Sequence, residues 1–487
     1  MRRLAAEGYA RLSPPAADVS AIMPQRRWKL LHAIHDFLPR HQAGSEIYAF
    51  ELCRELSSRH HVTMMSADYD PLRRHGQVTW RVHAGLPVLE IVNNWVCASF
   101  EETYRPPLIG ERLASALEAV QPDILHVHNL LNLSFELPII AHAHGMPVVA
   151  TLHDYTLVCP SGGQRLHQAE QHVCDIIETA RCARCFPQSP FAAQMSFGTL
   201  AGPVARPGLA QWAALTMRRR LPVVASRVAR VASRVGLASV TEEEISARLA
   251  TAQEVFRQVD LFVAPSESIA TEFERLGMDR SKIRVSDYGC APLAQRSRPE
   301  PHARLRIGFV GTLVWHKGVH VLLDAVRRLP ASTWELRIFG GLDVFPEYAT
   351  DLRARAAGLP VQFMGRFDRD RTAEMYADMD VLVVPSLWLE NSPLVIHEAF
   401  MAGVPVIGAR IGGIPGLVQD GWNGLLYDPR SPEQLSAALR QLIEQPDRLL
   451  EFAGRLPRVK SIAQDASEWE AIYAEVLDRH AAGGRAE

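Results

Sequence analysis

The sequence reads PSLWLENSPLVIHEAFMAGVPVIGARIGGIPGLVQDGWNGLLYD over residues 385–428, and this stretch combines two carboxylates, a helix start and a glycine turn. Ser392 is able to cap a helix whose first turn holds Pro393, which leaves the next backbone amides free to face an anion. Glu390 precedes this helix and Glu398 lies within two turns of its start. Two solvated glutamates are the alternative for this spacing alone. The whole stretch predicts an anion pocket whose carboxylates accept hydrogen bonds from ligand hydroxyls.

Length and composition are those of a two-domain globular protein. The chain has 487 residues, 47% hydrophobic and 22% charged, and its formal net charge of -2 gives no field that attracts nucleic acid. Residues 1–25 are expected to form a disordered tail without a signal peptide, and no later segment reaches about 18 uninterrupted apolar residues. We therefore expect a cytoplasmic protein whose seven cysteines are thiols or ligands instead of disulfides.

Short buried runs alternate with helical patterns along the N-terminal half, which predicts an α/β domain with a parallel sheet. Strands are predicted at residues 28–37, 61–66, 124–128 and 148–152, and helices at about 45–59 and 109–120. We assign this domain to residues 26–295, with a cysteine- and arginine-rich insertion at about 156–250. Neither half opens with GxGxxG after its first strand, which argues against a dehydrogenase.

A polar, proline-bearing stretch at residues 294–304 has the composition of an interdomain linker, and a second alternation follows it. Strands are predicted at 305–310, 334–339, 361–364, 381–385 and 404–409, and helices at about 319–328, 372–377, 393–402 and 432–444. The second domain is expected to span residues 304–460, and residues 461–487 to form a helix that packs back on the first. Two doubly wound domains then face each other across a cleft, which is the expected ligand site.

The segment GTLVWHKG at residues 311–318 lies between a predicted strand and a predicted helix, so Lys317 stands at the positive end of a helix dipole. Only four of the 52 basic residues are lysine, which makes a lysine inside a motif informative. A solvated surface cation is the ordinary alternative. We predict that Lys317 contacts a diphosphate and stabilises charge on a leaving group.

These motifs together resemble the family 4 glycosyltransferases. In the second half the resemblance is carried by GTLVWHKG, by SLWLENSPLVIHEAFMAGVPVIGARIGGIP and by NGLLYDP. In the first half it is carried by AGSE (43–46), DILHVHN (123–129), PVVATLHDY (147–155) and APSES (264–268). The resemblance implies a GT-B fold of two Rossmann-like domains and a nucleoside-diphosphate sugar bound mainly by the C-terminal domain. It also implies an acceptor on the N-terminal domain and retention of anomeric configuration without an essential metal.

Carried over by position, the resemblance places Lys317 on the donor diphosphate, Glu398 on the ribose and Glu390 on the transferred sugar. His153 falls where such enzymes keep an active-site histidine, and Gly44 would let the first loop approach the donor. The remaining donor-binding positions are Gly311, Thr312, Asn391, Ser392, Pro393 and Leu394.

Cleavage of the bond between anomeric carbon and phosphate builds negative charge on the diphosphate, so the site needs fixed donors more than a nucleophile. We predict front-side displacement in which Lys317 and Glu390 act on the donor, His153 orients the sugar, and the departing phosphate takes the acceptor's proton. The acceptor is expected to be a glycan, a lipid-linked molecule or a small molecule. Many relatives have arginine in place of Thr312 and glutamate in place of Gly416. Because of these departures, a non-catalytic protein that binds sugar nucleotides stays an alternative. Among enzymes, the alternative is a GT-B nucleotide-sugar epimerase.

Four cysteines follow the HDY motif at spacings that suit a tetrahedral zinc site: Cys159, Cys174, Cys182 and Cys185. Unequal spacing, with His167 and His172 nearby, leaves the ligand set open, and free thiols remain the alternative. Any metal here is expected to brace a loop near the acceptor site without taking part in catalysis.

Arg227, Arg230 and Arg234 share one predicted helical face beside a row of valines at residues 223–236. Such a face suits peripheral contact with an anionic membrane, at the inner face if the protein is cytoplasmic. A solvated arginine face over packed valines is the alternative.

Overall fold

The computed structural model describes residues 27–483 except 71, 168–169, 171, 190, 193–194, 196–238, 294–301 and 368. The tail at 1–25 and the arginine face at 223–236 therefore lie outside the described residues. No helix in the described ranges is both long and apolar enough to cross a bilayer.

The described strands and helices alternate along the chain. The strands are β1 Lys29–Ile34, β2 His61–Asp68, β3 Val78–His83, β4 Leu86–Val92, β5 Ile124–Val127, β6 Val148–Thr151, β7 Leu166–His167, β8 His172–Val173, β9 Leu261–Ala264, β10 Ile283–Val285, β11 Leu305–Val310, β12 Trp334–Phe339, β13 Val361–Gly365, β14 Val381–Val384, β15 Val406–Ala409 and β16 Gly424–Tyr427. The helices are α1 Gly44–Leu56, α2 Pro107–Val120, α3 Glu136–Ala143, α4 Thr179–Cys185, α5 Glu242–Gln258, α6 Glu267–Arg275, α7 Val319–Val326, α8 Pro346–Ala356, α9 Thr372–Ala377, α10 Leu394–Met401, α11 Ile414–Leu417, α12 Pro432–Glu444, α13 Asp447–Ala453 and α14 Ile462–Gly483.

The N-terminal domain is built on an eight-stranded sheet in the order β10-β9-β6-β5-β1-β2-β4-β3. Every neighbouring pair is parallel except β3 and β4, which form an antiparallel hairpin at the edge. Strands β1, β5 and β6 are almost fully buried because helices cover both faces of the sheet. The strand order reverses between β1 and β5, so the loops beyond these strands border the expected ligand site.

The C-terminal domain has a six-stranded parallel sheet in the order β13-β12-β11-β14-β15-β16. Its order reverses between β11 and β14, whose carboxyl ends carry the segments 311–318 and 385–393. The prediction of two doubly wound α/β domains is confirmed, and both switch points present their loops at the carboxyl ends of the strands.

The last helix, α14, packs on the N-terminal domain although it follows the C-terminal sheet in sequence. The hydroxyl of Tyr48 donates to Asp465 Oδ2 at 2.8 Å, and Trp469 Nε1 donates to the same tyrosine oxygen at 2.9 Å. Tyr473 OH lies 2.7 Å from His126 Nδ1 in the N-terminal core. Buried Trp469 and Tyr473 join the apolar cluster on this face of the sheet. The N-terminal domain is thus completed by the chain's final helix.

Candidate active site

The C-terminal sheet places Lys317 and Glu390 side by side beyond β11 and β14. Lys317 ends a 3-10 turn, Trp315–Lys317, directly before α7. Its ammonium lies 2.7 Å from Glu390 Oε1 and 5.1 Å from the centre of the Trp388 ring, and Ser386 donates its hydroxyl to the same carboxylate oxygen at 2.6 Å. The Glu390 side chain is 5% exposed and that of Lys317 is 27% exposed. The ammonium is therefore accessible to a ligand, while the buried carboxylate is held in place by the Ser386 hydroxyl.

Two glycines let backbone segments approach this pair more closely than other residues would allow. Gly318 has a φ of 73°, and a Cβ there would lie 1.7 Å from the Pro385 carbonyl oxygen. A Cβ on Gly413 would lie 1.6 Å from the Asn391 carbonyl oxygen. The Gly413 amide also donates to the Glu390 carbonyl at 2.6 Å. The glycine turn before α11 thus fixes the backbone that carries Glu390.

Glu398 is buried on α10 between a cation and a tyrosine. Its Oε1 lies 3.3 Å from Arg369 Nη2, and its Oε2 lies 3.1 Å from the Tyr376 hydroxyl. Burial raises the pKa of Glu398, and the Arg369 guanidinium opposes that rise. The sequence offered no motif at Arg369 or Tyr376. Thr312, by contrast, is exposed in the loop after β11, next to the partly buried Gly311.

The expected capping role of Ser392 is wrong. Helix α10 begins at Leu394 with Pro393 at its N-cap position, and no side chain caps it. The hydroxyl of Ser392 instead donates to Asp287 Oδ1 at 2.6 Å, while its amide donates to Asn391 Oδ1 at 2.6 Å. The first amides of an α-helix have no intrahelical acceptor, so this end of α10 can still face an anion.

Asp287 and His397 form an ion pair between the end of the N-terminal domain and α10. His397 Nε2 lies 2.8 Å from Asp287 Oδ2, and Nδ1 lies 3.2 Å from the Pro393 carbonyl oxygen. Both ring nitrogens face acceptors, so the imidazolium is the favoured form. Burial alone would lower the pKa of His397, but the Asp287 carboxylate raises it above its ordinary value. Burial would raise the pKa of Asp287, yet the bond from His397 lowers it.

We predict that His397 titrates above 6.5 and that Asp287→Asn lowers its pKa, as followed by NMR. Because the folded pKa of His397 is raised, its stabilising contribution is complete below the unfolded pKa and is lost as pH rises through the folded one. Because the folded pKa of Asp287 is lowered, its stabilising contribution is present above the unfolded carboxyl pKa and is lost as pH falls through the folded one. His320, which pairs with the Tyr348 hydroxyl, serves as the control and should titrate unchanged. An unaltered His397 titration in Asp287→Asn would contradict the ion pair.

Residues of the two domains meet directly at Asn391. Its side-chain amide donates to the His153 carbonyl and to the Tyr288 hydroxyl, the latter at 3.2 Å. At the start of α1 in the N-terminal domain, a Cβ on Gly44 would lie 3.6 Å from Leu394 Cδ1. The predicted residues of both domains are therefore brought together around one cleft.

His153 stands at one end of a chain of buried imidazoles. Its Nδ1 lies 2.7 Å from the Tyr288 hydroxyl and its Nε2 lies 3.0 Å from His128 Nδ1, while His128 Nε2 lies 3.0 Å from His32 Nδ1. Because Asn391 donates to Tyr288, the tyrosine proton is available to His153 Nδ1, which assigns the hydrogens of His153 and His128 to Nε2. Burial lowers the pKa of His153 to about 3, so the ring is neutral. Only its backbone carbonyl is directed toward Asn391 and the other domain.

Three histidines of this region, His32, His126 and His128, are the group in the described chain whose potential metal-binding atoms all lie within 4.8 Å of one another. Five of their six ring nitrogens, however, already have partners, and among the described residues only the buried Nε2 of His32 has none. His126 bonds the Tyr473 and Thr151 hydroxyls at 2.7 and 2.8 Å, and both nitrogens of His128 bond neighbouring imidazoles. We therefore interpret the group as a hydrogen-bonded chain of neutral rings instead of a metal centre.

Family comparison matches both halves of the chain around this cleft. Residues 43–195 match the model described as Glycosyltransferase Family 4, and residues 304–445 match the one described as Glycosyl transferases group 1. The chain belongs to the family 4 glycosyltransferases. The two matched regions contain Lys317, Glu390 and Glu398 on one side and Gly44 and His153 on the other.

Curated relatives of this family 4 glycosyltransferase are similar over part of their length. A D-inositol 3-phosphate glycosyltransferase from Rhodococcus opacus is 32% identical over 248 residues, covering 46% of this chain and 54% of the relative. The putative colanic acid biosynthesis glycosyltransferase WcaL of Salmonella typhimurium is 27% identical over 259 residues, covering 51% and 63%. The matched region thus spans about half of the first of these relatives and somewhat more of the second.

Solved structures share the fold over nearly the whole chain. Anabaena Alr3699/HepE, in complex with UDP and glucose, has a TM-score of 0.56 at 16% identity, covering 95% of this chain and 100% of that one. Sucrose-phosphate synthase from Thermosynechococcus elongatus has a TM-score of 0.59 at 16% identity, with coverage of 95% and 100%. At this identity the likeness supports the GT-B fold of the family 4 glycosyltransferase.

Proposed function

We propose that the chain transfers a sugar from a nucleoside-diphosphate sugar to an acceptor, with retention of anomeric configuration. The observation that carries the proposal is the accessible ammonium of Lys317, held 2.7 Å from buried Glu390 at the carboxyl end of the sheet. A cation beside the start of α10 suits a diphosphate, and a rigid carboxylate beside it suits sugar hydroxyls. HepE, a fold relative, was solved with UDP-glucose, which supports a donor of this class.

The donor would lie along α10. Its diphosphate would meet Lys317 and the first amides of the helix, its ribose would meet Glu398, and its sugar would meet Glu390. Arg369, 3.3 Å from Glu398, is a cation near the ribose end that could replace the arginine missing at Thr312. These contacts would be made across the cleft from Gly44 at the start of α1.

The chemistry would depend on charge stabilisation. Negative charge that develops on the departing diphosphate would be met by Lys317 and helix amides, which are fixed before the reaction. Both ring nitrogens of His153 are engaged inside the domain, so the imidazole would not act as a base or a nucleophile. Its carbonyl, now bonded by Asn391, would face the positive anomeric centre. The acceptor would then attack from the leaving-group side and lose its proton to the phosphate.

The acceptor is proposed only as a class of hydroxyl compounds. One relative is named for D-inositol 3-phosphate and another for colanic acid biosynthesis, so the family members similar to this chain differ in acceptor. Glycan, lipid-linked and small-molecule acceptors all remain within the proposal. A cytoplasmic location and contact with an anionic membrane also stay proposals.

A thermal-shift screen with UDP, GDP, ADP and dTDP sugars tests donor binding. A donor at 100 times its Kd should stabilise the folded protein by about 2.7 kcal/mol. In Glu390→Gln, the response to the bare nucleoside diphosphate should persist while the added stabilisation from the sugar is lost. No response to any of the four nucleotides would contradict the proposal. Isomerisation of the donor without an acceptor would identify an epimerase instead.

A further inference from the structure

Four cysteine side chains are gathered on one side of the N-terminal domain from three consecutive segments. These are Cys159, Cys174, Cys182 and Cys185. The first lies in a turn after β6, where its amide donates to the Tyr155 carbonyl at 2.8 Å. The second directly follows β8 and donates its amide to the Arg165 carbonyl at 2.7 Å. The last two are three residues apart on α4 and so share a face.

The four thiols lie close enough to one another for their ionisation to be coupled. Burial raises the pKa of Cys182 to about 12, and Cys159, Cys174 and Cys185 each add to that rise. Burial likewise raises the pKa of Cys174 to about 11, with Cys159 and Cys185 contributing. Cys174 and Cys182 are therefore neutral thiols at physiological pH, whereas a bound divalent ion would ionise them.

A buried cation lies against this cluster without a carboxylate partner among the described residues. Arg248 is 5% exposed, and its guanidinium donates to the carbonyls of Thr156 and Leu157 at 2.6 and 3.0 Å. Burial lowers the pKa of Arg248, and Cys159 and Cys182 are among the groups that oppose this change. An unpaired buried charge is costly, so anionic sulfur beside it would be stabilising.

Each of the two nearby histidines already uses the lone pair of one ring nitrogen for a hydrogen bond. Arg181 Nη1 donates to His172 Nε2 at 2.7 Å, so that lone pair is used. His167 Nδ1 accepts the Glu170 amide at 3.1 Å, which leaves its hydrogen on Nε2, a buried nitrogen without a hydrogen-bond partner among the described residues. The ligand set that the sequence left open therefore narrows to the four thiols.

We propose that Cys159, Cys174, Cys182 and Cys185 bind one structural zinc ion as a tetrathiolate. Four thiolates around Zn²⁺ carry a net charge of about -2, which complements the Arg248 guanidinium. No three of these sulfurs meet the 4.8 Å spacing that the described histidines satisfy, so binding of the ion would require the three cysteine segments to move closer together. The bound ion would brace the loop after β6, which contains His153.

Zinc analysis of the purified full-length protein tests this assignment. Protein produced with added zinc and no chelator should contain about one ion per chain, and Cys182→Ser or Cys174→Ser should hold less than about a tenth of that amount. Cys53→Ala, a buried cysteine on α1 outside the cluster, is the matched control and should keep the full content.

Cobalt titration of the wild-type protein keeps the test independent of variant folding. Stoichiometric binding with the visible spectrum of tetrahedral thiolate coordination would support the site. Wild-type protein with less than about a tenth of a zinc per chain and no such cobalt spectrum would overturn it. A disulfide between any two of the four cysteines in the freshly isolated protein would also overturn it.

Discussion

Lys317→Ala is expected to lower kcat/KM for sugar transfer by about 10²–10³-fold. The ammonium is the accessible cation of the Lys317–Glu390 pair, and it would oppose the charge that grows on the departing diphosphate. Removing it also leaves Glu390, 5% exposed, with the Ser386 hydroxyl as its remaining side-chain partner. Transfer kinetics with the donor identified by the thermal screen would measure the effect.

A second lysine provides the matched control. Lys282 Nζ donates to the carbonyls of Arg257 and Val259 at 2.7 and 2.9 Å in the N-terminal domain, so Lys282→Ala should leave transfer unchanged. Lys317→Arg keeps the charge but changes its geometry, and should recover part of the lost rate. The double variant with Glu390→Gln should be much less impaired than the product of the single effects, since the two side chains act as a unit. Activity within threefold of wild type in Lys317→Ala would remove the lysine from the mechanism.

Acidification is expected to destabilise the N-terminal domain through its buried imidazoles. Burial lowers the pKa of His32 and His153 to about 3, and lowers those of His126 and His128 well below the ordinary value. The unfolded chain therefore binds more protons than the native one below about pH 6.5. Each such histidine should cost about 1.4 kcal/mol of unfolding free energy per pH unit until its folded pKa is reached.

Denaturant unfolding between pH 7 and pH 5 would measure this slope in the wild type and in His32→Gln. Buried carboxyls with raised pKa, such as Asp154 and Asp465, contribute with the opposite sign, and the comparison of the two proteins cancels them. Averaged between pH 7 and pH 5, the pH dependence of the unfolding free energy should be smaller in the variant by about 1 kcal/mol per pH unit, because an unfolded histidine is only partly protonated above pH 6. Tyr473→Phe removes a hydrogen bond to His126 but no proton that titrates in this range, so it should lower stability without altering the slope. Equal slopes in wild type and His32→Gln would show that the buried imidazoles do not cause the loss of stability at low pH.

The C-terminal half was predictable because its signals are local. The strand, loop and helix around Glu390 and Glu398 are consecutive in sequence, so buried runs and glycines place them at one sheet edge. The cap at Ser392 was mispredicted because the helix begins one residue later than expected, at Leu394, and no helix amide bonds the serine oxygen. The Ser392 hydroxyl instead donates to Asp287, which comes from a segment 105 residues away.

The N-terminal half held more that sequence alone did not reveal. Tyr288 and Asp287 lie in a stretch without periodicity or motif. They have partners because the fold places this stretch against Asn391, Ser392 and His397 of the other domain. His32 and His128 become neighbours because β1 and β5 pair, a contact across 96 residues. The hairpin of β3 and β4 was missed because Val78–His83 is an edge strand with alternating exposure and no buried run.

The final helix has a mechanical consequence. The polypeptide passes between the two lobes twice, once after β10 and once before α14, so they share two covalent tethers instead of one. Two connections restrict the rotation of one lobe against the other, but they permit the cleft between the lobes to open and close about the line that joins the connections. A fragment that ends before residue 461 would lack the helix that covers one face of the first lobe's sheet, although every strand of that sheet would be present.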